Sequence, residues 1–191
     1  LRPVIKNIAG YLSMFNFRGD TNRIQNLPGE PALSFFASIF FVWGLFVSLY
    51  RWHDPRYGGL VIWFLMGLLP GALTHSIETP HGTRVIATAP VVCLFAGLAL
   101  RDVWQAIAGA AAPGQGEARR RTWVASGTAV VGAFLLATAA LDYHAYFVRQ
   151  ATDPNCYFGF NPDANLVGRL IERWKQEYQI YVSPSYYYVF P

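Results

Sequence analysis

The chain has 191 residues, 53% of them hydrophobic and 14% charged, with a net charge of +4 and a mean hydropathy of +0.25. That profile belongs to a membrane protein and excludes a single ordinary soluble domain. The basic residues are scattered along the chain, which argues against a nucleic-acid surface and makes charge placement a report on topology.

At the start of the chain, Val4, Ile5, Ile8, Leu12 and Phe15 fall on one helical face while Arg2 and Lys6 lie off it. This predicts an amphipathic helix, lying on the membrane or packed on its own protein. The opening "LRPVIKNIAGYLS" lacks the features of a signal peptide. With no initiator Met, the expectation is an internal or C-terminal piece of a longer protein.

"FNFRGDTNRIQNLPGEP", Phe15 to Pro31, holds the turn formers Gly19, Asn22, Asn26, Pro28 and Gly29 and predicts a structured loop. Its Arg18 and Arg23 can pair bidentately with a phosphate, or neutralise Asp20 and Glu30 in a loop-stabilising network. The tripeptide Arg18-Gly19-Asp20 also occurs in adhesion ligands, but three residues recur by chance too often to carry weight.

A helix crosses a hydrocarbon core of about 30 Å in roughly 20 residues. Uncharged runs of nearly that length extend from Pro31 to Tyr50, Tyr57 to Leu73, Val85 to Leu100 and Trp123 to Leu141. Four spans are therefore expected, the third, short and containing Pro90, as a buried or tilted helix with Arg84 snorkelling to the interface. No Asp, Glu, Lys or Arg interrupts these runs, which argues against a transporter pathway.

The connection "RWHDPR" and the segment after the third run carry Arg51, Arg56, Arg101, Arg119, Arg120 and Arg121, whereas "THSIETPHGTR" carries Arg84 alone. The positive-inside rule makes the first two cytoplasmic. Residues 1–30, 74–84 and 142–191 are then extracytoplasmic, in a multi-pass protein of the cell membrane. The segment "AGAAAPGQGEARRR" reads as a flexible linker touching anionic headgroups.

In "HSIETPHGTR", His75, Glu78 and His81 have ligand chemistry, but a gap broken by Pro80 does not match a helical zinc pair. The alternative for this loop is an anion held by Arg84, with a further hydrogen bond from His81. No cofactor is called for, and a divalent metal is left open. Cys93 lies within a span and Cys156 in a polar tail, so neither a disulfide between them nor a metal set is expected.

Beyond Asp142, Asn161 can cap a helix with Pro162 in its first turn and an apolar stripe of Leu166, Val167, Leu170, Ile171 and Trp174. "YQIYVSPSYYYVF" then predicts a strand, a turn at Ser183-Pro184 and a second strand. The fold class expected is an all-α multi-pass membrane protein of about four spans with the start of a small C-terminal α/β extracytoplasmic domain. Its divisions are 1–30 for helix and polar loop, 31–141 for the bundle and 142–191 for the tail.

The stretch "MFNFRGDTNRIQNLPGEPALSFFASIFFVWGLFVSLYRWHDPRYGGLVIWFLMGLLPGALT", with "ETPHGTRVIATAPVVCLFAGLAL" after it, resembles the later membrane half of GT-C glycosyltransferases. The likeness is to the protein mannosyltransferase and aminoarabinose transferase type, glycosyltransferase family 39, over about residues 12 to 100. Its most specific parts are Gly19-Asp20, Arg23, Asn26 to Gly29 and Pro31, and the turn from Pro80-His81 to Arg84. Relatives often carry a histidine beside the loop arginine and an aspartate after the second loop proline; this chain has Ile24 with Gln25, and Ser34.

The resemblance implies transfer of a sugar, with inversion, from a polyprenyl-phosphate donor to a hydroxyl acceptor on protein, lipid or glycan at the outer face. It implies donor-phosphate binding by Arg23 and Arg84 with His81 assisting, and loop support from Asp20 and Asn26. The catalytic carboxylate is implied upstream of this chain. The rival from another class is a noncatalytic membrane scaffold or partner subunit.

Overall fold

The computed structural model describes residues 2–24, 26–74, 79–110, 116–159 and 162–181. The described elements are α1 Arg2–Met14, α2 Phe35–Tyr50, α3 Pro55–Ala72, a 3₁₀ segment Gly82–Thr88 that leads into α4 Ala89–Ala108, and α5 Glu117–Tyr143. A π-helical segment, His144–Gln150, continues α5, and α6 Pro154–Gly159 and α7 Pro162–Trp174 follow.

The bundle is all-helical, and two stretches, Gly82–Ala108 and Glu117–Gln150, are long and apolar enough to cross a membrane. The other two expected spans fall short of that measure. The 16 residues of α2 cover about 24 Å at about 1.5 Å each, less than a hydrocarbon core of about 30 Å. In α3, Pro55, Arg56, Pro70 and four glycines dilute the apolar content.

Local chemistry sets the ends. Asp54 caps α3 by accepting from the Arg56 N–H at 3.0 Å, with Pro55 at the first helical position, where its missing N–H costs nothing. Pro90 likewise sits in the first turn of α4 rather than tilting a span from within. Before it, Val85 is non-helical (φ −119°, ψ 18°). At their charged ends α4 and α5 outrun the apolar runs, because polar side chains do not break a helix. Glu117 to Arg121, expected as linker, form the first turns of α5 with a Glu117–Arg121 pair at 2.6 Å; residues 111–115 lie outside the described residues.

From α2 to α5 the helices run alternately up and down, and α1 runs antiparallel to α3, as α2 does. Beside α1, the C-terminal end of α3 gives the Ala72 and Thr74 carbonyls to the Asn7 side chain at 3.2 and 2.8 Å. At the opposite end, Arg51 after α2 and Arg101 on α4 both reach Tyr57 at the start of α3. The π segment returns to the first end, where Arg149 pairs with Glu30 at 2.6 Å.

Four phenylalanines join the elements at the centre: Phe15 after α1, Phe41 on α2, Phe64 on α3 and Phe95 on α4. Their ring centroids are 5.3 to 6.1 Å apart, all four side chains are buried, and tilted or edge contacts of this kind add to simple packing. Between α2 and α4 the backbones meet at Gly44, where a Cβ would lie 1.8 Å from the Phe95 carbonyl oxygen. Small residues permit such approach, and with it the dispersion contacts that hold helices together in lipid.

The first helix packs on its own protein, but by a different face from the one expected. Asn7, Tyr11, Met14 and Phe15 are buried, whereas Ile5, Ile8 and Leu12 are exposed. Asn7 turns inward because two helix-end carbonyls there need a donor.

Helix α7 forms where expected; Asn161, its expected cap, lies outside the described residues. The α/β domain is not found. No strand occurs among the described residues, residues 178–181 have neither helix nor ladder, and 182–191, with the turn at Ser183-Pro184, lie outside them.

Candidate functional site

The polar loop closes on itself before α2 begins. Ala32 and Leu33 N–H donate to the Met14 and Phe15 carbonyls at 2.9 and 3.1 Å, and Gly29 N–H donates to the Asp20 carbonyl at 2.8 Å. Asn26 donates through its side chain to the Glu30 carbonyl at 2.8 Å. That same carbonyl oxygen would be 1.8 Å from any Cβ at position 19, so Gly19 is required by close backbone approach.

Asp20 is the knot between the two loops. Its side chain is buried; Oδ1 accepts from Asn22 N–H at 2.7 Å and Oδ2 from Gly82 N–H at 2.7 Å. Asn22 repeats the turn, accepting from Ile24 N–H at 3.0 Å. The short distances suit a carboxylate accepting backbone N–H groups.

His81 sits on the other side of this knot. Its N–H donates to the Tyr11 hydroxyl at 3.3 Å, its Nδ1 is 2.9 Å from Thr83 Oγ1, and the Asn22 amide faces Nε2 at 3.5 Å. Tyr11 is fully buried, fitted against Gly71, where a Cβ would meet its ring at 2.5 Å.

Of the residues expected here, Asp20, His81 and Asn26 thus belong to one hydrogen-bonded unit. Arg23 is exposed, and its Cβ would be 3.2 Å from a Cβ added at Gly159, so α6 packs against the loop at this point. Arg84 is half-buried, and its N–H donates to the His81 carbonyl at 3.2 Å. Both arginines flank the unit on the same end of the bundle. His75 and Glu78 lie outside the described residues. Arg18, exposed, and Arg23 do not neutralise the loop carboxylates: Asp20 is taken up by backbone N–H groups, and Glu30 forms a two-pronged pair with Arg149 at 2.6 and 3.2 Å.

Sequence reasoning missed Tyr11 and Arg149 and read Asn22 as a turn former alone. A tyrosine on an apolar helix face reads as core, and nothing local marks a pair across 119 positions. Also missed is a cavity of about 250 Å³ between the start of α2 and the end of α5, lined by Asn26, Glu30, Ser34, Asp142, His144 and Arg149 among others.

Cys156 backs this loop from α6. It is buried, its thiol directed at the Asn26 carbonyl at 3.9 Å, and burial pushes the thiol up, with the Asp153 carboxylate adding and Arg23 opposing. The folded state therefore prefers the protonated thiol, and the stability this confers is lost as pH rises from the ordinary thiol value of about 8.5 through the raised one. In a Cys93→Ser background, a water-soluble maleimide is expected to label Cys156 slowly at neutral pH and fully in denaturant. Rapid labelling of the folded protein at neutral pH would contradict this burial.

Comparison with known proteins finds no family model that matches the chain, no significantly similar curated protein and no significantly similar solved structure. The functional reading therefore rests on the residues themselves.

Proposed function

We propose that this chain is the later membrane part of a GT-C-type glycosyltransferase that moves a sugar from a polyprenyl-phosphate donor to a hydroxyl acceptor at the extracytoplasmic face. In this reading α2 to α5 all cross the bilayer, the shorter two by local thinning of the bilayer and snorkelling of their flanking residues. The six arginines of the connections at 51–56 and 101–121 stay in the cytoplasm.

The observation that carries the reading is the Asp20 bridge. One buried carboxylate ties the loop of Arg23 to the loop of Arg84 through the Gly82 N–H at 2.7 Å, on the end of the bundle where His81 also stands. Two guanidinium-bearing loops locked to each other at headgroup depth form a preorganised cradle for a phosphate leaving group, whose charge grows in the transition state. Arg23 and Arg84 would bind the donor phosphate, His81 would add a hydrogen bond, and Asp20 and Asn26 would hold the loops. The acceptor's proton goes to a carboxylate upstream.

A second reading, a noncatalytic scaffold or partner subunit, is favoured by the apolar stripe of α7, where Leu166, Leu170 and Trp174 stand exposed. The test that separates them is sugar transfer from a labelled polyprenyl-phosphate donor in detergent with the complete gene product. Arg84→Ala is expected to abolish transfer at unchanged expression. Unchanged turnover removes Arg84 from the site, and absence of transfer by the unmodified protein favours the scaffold.

A further inference from the structure

The end of the bundle opposite the Asp20 knot carries a second cluster. Tyr57, buried at the start of α3, receives Arg51 Nη1 and Arg101 Nη2 on its hydroxyl oxygen, each at 3.3 Å. Arg51 also lies over the Tyr57 ring, 5.6 Å from its centroid. Among the described residues only one carboxylate balances the two guanidiniums: Asp102 pairs with Arg101 at 2.8 Å, while Asp54 is turned to the N–H of Arg56.

A phenol offers two acceptor lone pairs and one O–H donor. Here both acceptor positions are taken by guanidiniums, and among the described residues no acceptor meets the O–H. A ligand oxygen at this point would receive that O–H while lying beside two cations, one of them without a carboxylate among the described residues. The ligand chemistry this selects is a phosphate oxygen. Arg51 is exposed, as are Tyr50 and Trp52 beside it, and amphipathic aromatics of this kind sit at the level of lipid headgroups.

We infer that Arg51, Arg101 and Tyr57 form a binding site for the phosphodiester of an anionic phospholipid in the leaflet opposite the candidate transfer site. The inference rests on the membrane reading but not on sugar transfer, so it survives a negative transferase assay. Each arginine near an anionic headgroup strengthens retention about fivefold.

The test is native mass spectrometry of the purified chain released from detergent with phosphatidylglycerol or phosphatidylcholine added in equal amount, preceded by flotation with vesicles to establish membrane insertion. Preferential retention of phosphatidylglycerol is expected, lost in Arg51→Gln with Arg101→Gln. Should that double variant fail to fold, Tyr57→Phe keeps the ring and removes only the hydroxyl, and partial loss of the preference is expected. Equal retention of both lipids, or preference unchanged in the variants, overturns the site. Displacement of the lipid by inorganic phosphate at about millimolar concentration overturns the lipid as its source and assigns the pocket to a soluble anion.

Discussion

Replacing Gly44 by alanine is expected to separate α2 from α4 and to cost about 3 kcal/mol, a large fraction of a total stability of about 5 to 15 kcal/mol. The added Cβ would lie 1.8 Å from the Phe95 carbonyl oxygen and 2.4 Å from its carbonyl carbon. These are backbone atoms inside a helix, so no rotamer change relieves the clash. The helices must part, and contact is then lost around Phe41, Ser48 and Phe95, all buried within one or two turns. Gly97→Ala is the control, because a Cβ there meets nothing within 4 Å and alanine favours the helix by up to about 1 kcal/mol. Thermal unfolding of both variants in detergent decides the matter: equal midpoints would mean that the two helices do not approach this closely.

Asp20→Ala is expected to disconnect the two polar loops. It strips the acceptor from the Asn22 and Gly82 N–H groups, and each donor left unsatisfied costs about 1 to 3 kcal/mol where water cannot replace the lost partner. Asp20→Asn retains one carbonyl oxygen and should lose less, so the order of stability is Asp, then Asn, then Ala. Hydrogen exchange reads the bond directly: the Gly82 amide should be protected in the unmodified chain and fast in Asp20→Ala. Unaltered protection at Gly82 would show that the loops are held by something else. If the proposed transfer is this protein's activity, both substitutions should lower it, because Arg23 and Arg84 are presented by the loops that this carboxylate joins.

The helical course of the bundle was legible in the apolar runs, but its boundaries were not. Hydropathy reports which residues tolerate lipid, whereas a helix continues through any side chain that spares the backbone. This is why α4 extends through Arg101 and Asp102, and α5 begins at Glu117. For the site, turn formers made a structured loop legible and arginine placement put both polar loops on one side, while their joint role came only from the family resemblance. The decisive contact was not legible, since Gly82 contributes only a backbone N–H and no side-chain pattern encodes a backbone donor. The face that α1 turns to the bundle was not legible for a related reason. Asn7 looks solvent-facing until the carbonyls of Ala72 and Thr74 are set beside it. The strand expected from the aromatic tail does not form at residues 178–181, where no neighbouring strand among the described residues completes a ladder.

The pair between Glu30 and Arg149 is nearly half exposed on both sides, so dissolved ions screen it and it contributes little by itself. What fixes the distance across the adjoining cavity lies deeper, where Phe134 on α5 meets Phe36 and Phe40 edge-on with centroids 5.6 and 5.0 Å apart. Concentrated salt should therefore slacken the rim while leaving those rings in place, much as a book opens at its fore-edge while the binding holds.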